Sequence, residues 1–168
     1  MERLRTRLRL EPMSAADIAA FPMSQLVEYA QQIEVYGGWT ADDARAKAER
    51  DMALTFPGGQ LLPGHSLFHL VEEATGERAG VLWYRQDERG LWLFQVTIEE
   101  SRRGQGLGRE AMELLEAEAR RLGAPRIELN VFGGNDAARS LYRGMGYRED
   151  AVTMSKPTPR AVGDPAGD

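Results

Sequence analysis

A chain of 168 residues, 42% hydrophobic and 28% charged, has the length and composition of one globular domain with a full core. It has no cysteine and only two histidines, His65 and His69, which excludes a disulfide scaffold and thiolate chemistry and leaves no zinc motif. A net charge of -5 and the lack of a membrane-length apolar run argue against nucleic-acid and membrane partners, and point to a cytoplasmic protein that needs no metal.

The N-terminal "MERLRTRLRLEPM" alternates charge and leucine and has no signal-peptide pattern; Leu4, Leu8 and Leu10 predict a short first strand. Ser14 with Asp17 three residues on is a capping signature and opens helical sequence to about Val35. Pro22 either starts a second helix there or kinks a single one. After "YGGW", Thr40 and Asp43 cap a helix, "ADDARAKAERDMALTF", that Pro57-Gly58-Gly59 stops. "SLFHLVEE", "AGVLWYR" and "LWLFQVTI", separated by the turns "ATGER" and "QDERG", predict a three-stranded antiparallel meander.

The order then changes. "REAMELLEAEARRL" is a helix with an apolar stripe at Ala111, Leu114, Leu115, Ala119 and Leu122, ended by Gly123 and Pro125. "RIELNVF" predicts a strand, and Asn135 caps a short helix, "DAARSLYRGM". "YREDAVTMSK" is expected to close the fold as one or two strands. Residues 1–156 therefore read as one α/β domain of order β-α-α-β-β-β-α-β-α-β, its sheet mixed and mostly antiparallel. The Pro/Gly/Asp-rich residues 157–168 read as a disordered tail.

The stretch "SRRGQGLGRE" places a glycine-rich turn between the third meander strand and a helix. Glycines admit close approach of an anion, and the first-turn N–H groups and helix dipole favour a phosphate there. A Walker loop is ruled out, because Gly108 is followed by Arg109 and Glu110 in place of Lys-Ser/Thr. A dinucleotide turn fits Gly104, Gly106 and the acidic Glu128 some twenty positions on, but Arg109 stands where the third glycine belongs and the motif follows a meander. The remaining reading is R-x-x-G-x-G over Arg103, Gly104, Gln105, Gly106, Leu107 and Gly108, with Arg103 adding charge and Arg102 available to a further phosphate. Alternating glycines alone are also what any tight turn needs.

This stretch resembles the cofactor loop of the GNAT superfamily, the acetyl-CoA-dependent N-acetyltransferases. The following "NDAARSLYRGMGY" is similar to that family's second motif, with Asn135, Ala138 and Tyr142 in place and Gly146 and Tyr147 closing it. Both motifs stand in the family's order, and the resemblance spans roughly residues 4 to 156. It implies a mixed sheet flanked by helices, a bulge before the loop, and a cofactor arm lying between two splayed strands. By resemblance, the loop from Arg103 to Arg109 would hold the pyrophosphate of acetyl-CoA. The backbone of Val96, Thr97 and Ile98 would pair with the arm and offer an oxyanion donor. Asn130 and Asn135 would bond its amides, Asn135 also serving as a helix cap. Tyr142 would protonate the leaving thiolate, although a tyrosine on an amphipathic helix is ordinarily core.

The implied reaction is direct attack of a primary amine on the thioester, with a non-catalytic acyl-CoA-binding module as the rival. The base stays open. Gln95 stands in the region where many relatives carry an acid and takes no proton; Glu99 and Glu100 belong to a solvated turn. His69, a water chain, or an amine that arrives neutral are the alternatives. The acceptor, a small molecule or a protein amine, is equally open. Tyr29, Tyr36, Trp39 and Trp83 are candidates to enclose a cation near the cleft, or to be core. Many relatives are dimers, so a homodimer is an expectation from resemblance.

Overall fold

The computed structural model describes residues 6–156 and 158. The strands are β1 (Leu8–Pro12), β2 (His65–Glu72), β3 (Arg78–Asp87), β4 (Gly90–Ile98) and β5 (Ile127–Leu129). The helices are α1 (Ala15–Gly37), α2 (Ala41–Thr55), α3 (Leu107–Leu122) and α4 (Asp136–Gly144). The five strands lie in sequence order in one sheet, with antiparallel pairing from β1 to β4 and β5 parallel to β4. This is the predicted mixed, mostly antiparallel arrangement. Leu4 and the tail residues 159–168 lie outside the described residues, as does Pro157.

Local chemistry explains the helix boundaries. Ser14 Oγ accepts from the Asp17 N–H at 3.1 Å while the Asp17 carboxylate accepts from the Ser14 N–H, a reciprocal capping box. Pro22 lies inside one continuous helix, so α1 runs unbroken to Gly37. Thr40 caps α2 in the same manner, accepting from the Asp43 N–H at 3.2 Å.

The sheet divides two apolar clusters by its period of two. Leu82 and Tyr84 of β3 face α3 and join Leu70, Met112 and Leu115, while Trp83 between them faces α1 and α2 and packs with Phe21, Met52 and Phe56. The stripe of α3 is as predicted: Ala111, Leu115 and Ala119 are buried, Leu114 and Leu122 partly so, and Met112 joins them. Tyr84 buries its ring on this side and donates its hydroxyl to Glu118 of α3 at 2.9 Å.

Two glycines mark close backbone approach. A Cβ on Gly90 would stand 2.3 Å from the Arg126 carbonyl oxygen, and one on Gly80 would stand 2.0 Å from that of Thr97. Both contacts are with backbone, which has nowhere to rotate. Gly80→Ala should therefore push β3 and β4 apart and destabilise the fold by about 3 kcal/mol. A urea melt with an unshifted midpoint would refute this account of Gly80.

Two predicted strands are corrected. The strand over 126–132 shrinks to Ile127–Leu129, because Phe132 leaves the sheet to stack on Tyr36 with ring centroids 6.0 Å apart. No strand forms over 147–156. That segment is held by side chains instead: Glu149 accepts from Arg139 at 2.8 Å and from Arg143, and Asp150 from Arg126 at 2.9 Å. Beyond them Val152 and Met154 are exposed, so the apolar residues that suggested a strand have no sheet face to cover.

Candidate active site

The site begins where β4 and β5 part. Their parallel register ends at Leu93 with Leu129, and among the described residues the rest of β4 pairs only with β3. Upstream, Trp83 pairs with Gln95 and Tyr84 with Leu93, so Phe94 is the extra residue of a bulge. The bulge accounts for Phe94 stacking on Trp83 at 4.6 Å, on the α1 side, while Val96 turns back toward the α3 cluster. Val96, Thr97 and Ile98 thus lie on the stretch of β4 past the end of its pairing with β5.

At the end of that edge the chain makes a turn at Glu100–Arg102 and enters α3 through the glycines. Gly104 and Gly106 have φ of 75° and 82°, left-handed values that suit glycine. Among the described residues, the N–H groups of Gly106, Leu107 and Gly108 make no backbone hydrogen bond. They are the unpaired donors of a helix start, with the positive end of the dipole behind them. Nothing lies within 4 Å of where a Cβ on Gly104 would stand. This donor set and the open approach to it suit a pyrophosphate.

The arginines of the loop are disposed differently from expectation. Arg102 does not turn toward the glycines: it pairs with Glu72 at 3.0 Å and with Glu77. Arg103 donates Nε to the Ile98 carbonyl at 3.0 Å, and its Nη2 is 3.9 Å from Glu28 of α1. Arg109 is exposed, its Nη2 against Gly144 at the end of α4. Arg7, which sequence reasoning passed over, braces the turn. It donates to the Gln105 carbonyl at 2.6 Å and pairs with Glu110 at 2.7 Å. Only the fold brings Arg7 within reach of residues about a hundred positions away.

α4 packs on the start of α3. Leu141 Cδ2 lies 3.5 Å from where a Cβ on Gly108 would stand, so the two motifs meet at the glycine turn. Asn135 caps α4, accepting from the Ala138 N–H at 3.2 Å. Asn130 is exposed just beyond β5. Tyr142 packs against the α3 cluster with its ring 5.9 Å from that of Tyr147. Burial pushes the Tyr142 phenol above its ordinary value of about 10, which keeps it protonated at neutral pH. Tyr147 is pushed up by burial and by Glu116, and its hydroxyl is buried without a partner.

On the other face of β4 lies a cavity of about 750 Å³ between α1 and the ends of β2, β3 and β4. Thr97 and Ile98 belong to its wall, so it adjoins the splayed edge. Its lining includes four carboxylates, Asp17, Glu28, Glu99 and Glu100, against two guanidinium groups, Arg78 and Arg103. The aromatic candidates are elsewhere. Trp83 is core and donates its indole N–H to His65 Nδ1 at 3.0 Å, Tyr29 donates to Asp51 at 2.9 Å, and Tyr36 stacks on Phe132. Trp39 is 46% exposed and packs against Gly37. Gln95 is committed too, donating to Gln25 of α1 at 2.7 Å and to Thr97 at 3.0 Å. His69, by contrast, lines the cavity. Its partner Asp17 carried only a capping signal in the sequence.

This geometry has relatives. Residues 23–147 match the model of the acetyltransferase (GNAT) family. An uncharacterized N-acetyltransferase of Bacillus subtilis, YdgE, is 32% identical over 151 residues, 88% of this chain and 96% of the relative. A second from the same organism, YycN, is 27% identical over 153 residues, 89% of this chain and 97% of the relative. The crystal structure of YycN superposes with a TM-score of 0.82 over 91% of this chain and 99% of that one. A family model matched over most of the chain and a relative of this identity and coverage show that the chain belongs to the GNAT acetyltransferase family.

Proposed function

We propose that this chain transfers an acetyl group from acetyl-CoA to a primary amine by direct attack, with Tyr142 as the general acid. The observation that carries the reading is the opening beside Val96–Ile98, which ends at the unpaired N–H groups of the glycine turn and adjoins a cavity on the α1 side. The backbone edge of Val96, Thr97 and Ile98 is suited to pair with an extended arm. Gly104, Gln105, Gly106, Leu107, Gly108 and Arg109 surround an anion site, with Arg103 at its entrance. Asn130, Asn135 and Ala138, on the side of β5 and α4, are assigned to the cofactor's amides and arm by the resemblance. Acetyl-CoA supplies the activated acyl group, and the protein's part is to align it, donate to the developing oxyanion and protonate the sulfur.

Arg103 supports the reading in a way the sequence did not suggest. By holding the Ile98 carbonyl and reaching Glu28, it links the end of β4 to α1 and separates the glycine turn from the cavity. Donor and acceptor would then approach the edge of β4 from different sides. We place the protein in the cytoplasm and treat residues 1–156 as the working domain.

Calorimetric titration with acetyl-CoA, and separately with NADH, tests the reading. Micromolar binding of acetyl-CoA alone is expected. Binding without amine-dependent release of coenzyme A would mark an acyl-CoA-binding module, and binding of NADH alone would return the turn to a dinucleotide site.

A further inference from the structure

Among the described residues His69 is the one polar or charged residue in the buried core, at 8% exposure, and its Nε2 has no hydrogen-bond partner. His69 stands in a row across the sheet: Glu11 pairs with His69, His69 with Val81, and Val81 with Thr97. Directly paired residues share a face, so the imidazole lies on the same side as Thr97, about 10 Å away along the sheet at two strand spacings. His69, Val81 and Thr97 all line the cavity.

The nearest charged group to His69 is Asp17, whose Oδ2 is 3.5 Å from Nε2. The Ser14 hydroxyl, donating at 2.7 Å, is the chief cause holding the Asp17 carboxyl below its ordinary range, with His69 and Arg78 adding to it. Asp17 is therefore ionised at neutral pH and fixed by the cap of α1. A carboxylate beside Nε2 favours the hydrogen on that nitrogen and leaves the lone pair on Nδ1. The other charged groups around the ring are Glu11 in the row and Arg78 on the far oxygen of Asp17 at 3.6 Å. Glu28, Glu99, Glu100 and Arg103 stand farther out along the cavity. Gln95, bonded to Gln25 and Thr97, is no proton acceptor.

We propose that the cavity beside α1 receives the acceptor as an ammonium ion, that His69 takes its proton through water in the cavity, and that Asp17 is the positioning residue for the ring. This rests on the acetyltransferase reading. The surplus of carboxylates over guanidinium groups in the wall favours a cationic acceptor over an anionic one. The protons balance as follows. Of the three on the ammonium nitrogen, one passes to His69 and on to solvent, and one remains on the amide. The third returns to Tyr142, replacing the proton that the phenol gives to the sulfur as the C–S bond breaks and the C–N bond forms.

Two probe amines separate this role from packing. Methylamine is an ammonium ion at pH 7 and needs a base, whereas hydroxylamine is already neutral there and does not. In His69→Gln, the ratio of acetyl transfer to methylamine over transfer to hydroxylamine should fall about 100-fold. In Asp17→Asn, it should fall about 10-fold, since the ring keeps its lone pair but loses its orienting carboxylate. Folding is checked by thermal melts, and acetyl-CoA affinity is measured on each variant. An unchanged ratio in a folded His69→Gln that still binds acetyl-CoA would overturn the proposal and leave the acetyltransferase reading standing. Wild-type protein that binds acetyl-CoA but acetylates neither probe would overturn both.

Discussion

Replacing Gly106 by glutamate is expected to weaken acetyl-CoA binding at least about 100-fold, or about 2.7 kcal/mol. Two effects combine. Gly106 has φ of 82°, where a side chain strains the backbone by about 1–2 kcal/mol. The added carboxylate would also stand at the helix start, against the phosphates that the unpaired N–H groups suit. Arg7 offers little compensation: its Nη2 is 3.8 Å from where the new Cβ would stand, but it is already paired with Glu110 and bonded to the Gln105 carbonyl. Gly106→Ala adds the strain without the charge, and should lose about 10-fold. Calorimetry on both variants separates the two effects. Unchanged affinity in the glutamate variant would show that the turn does not hold the cofactor.

The second large effect is expected from Tyr142→Phe. The substitution keeps the ring, and with it the packing against the α3 cluster and Tyr147. It removes only the hydroxyl. If that group protonates the thiolate, turnover should fall about 1000-fold while acetyl-CoA affinity changes by less than about threefold. The raised phenol pKa gives the sign of the pH dependence: the acid form persists through neutral and mildly alkaline pH, and activity should fall as pH rises past its deprotonation. Equal losses of binding and turnover would assign Tyr142 to packing instead.

Legibility in the sequence followed the range of the interactions. α3 was readable because its stripe repeats every 3.6 residues and its ends carry local signals, and all of that survives in Ala111, Leu115 and Ala119. The glycine turn was readable because φ above zero leaves a mark in composition at Gly104 and Gly106. What failed depended on partners distant in the chain. Arg102 and Arg103 flank the glycines, but their contacts with Glu72, Glu77 and the Ile98 carbonyl depend on residues that the local sequence does not show. "YREDAVTMSK" alternates like a strand, but ion pairs of Glu149 and Asp150 with arginines elsewhere in the fold hold this segment off the sheet. The aromatic acceptor candidates stayed open between cleft and core for a related reason. Bulk and a nearby cleft do not decide which way Trp83 points; register does, and it points into the α1–α2 cluster.

The two apolar clusters, one on each side of the sheet, bear on how such a protein changes over time. Phe21, Met52 and Phe56 pack α1 and α2 on the side of the cavity, whereas Met112 and Leu115 support the helix that starts at the glycine turn. They meet only through the strands, so substitutions in one cluster should add to those in the other with little coupling. Truncations in the two clusters, combined in pairs, would then show near-additive losses of stability. On the proposed reading, such a partition would let the choice of acceptor be rewritten on one face while the means of holding the donor is inherited intact on the other.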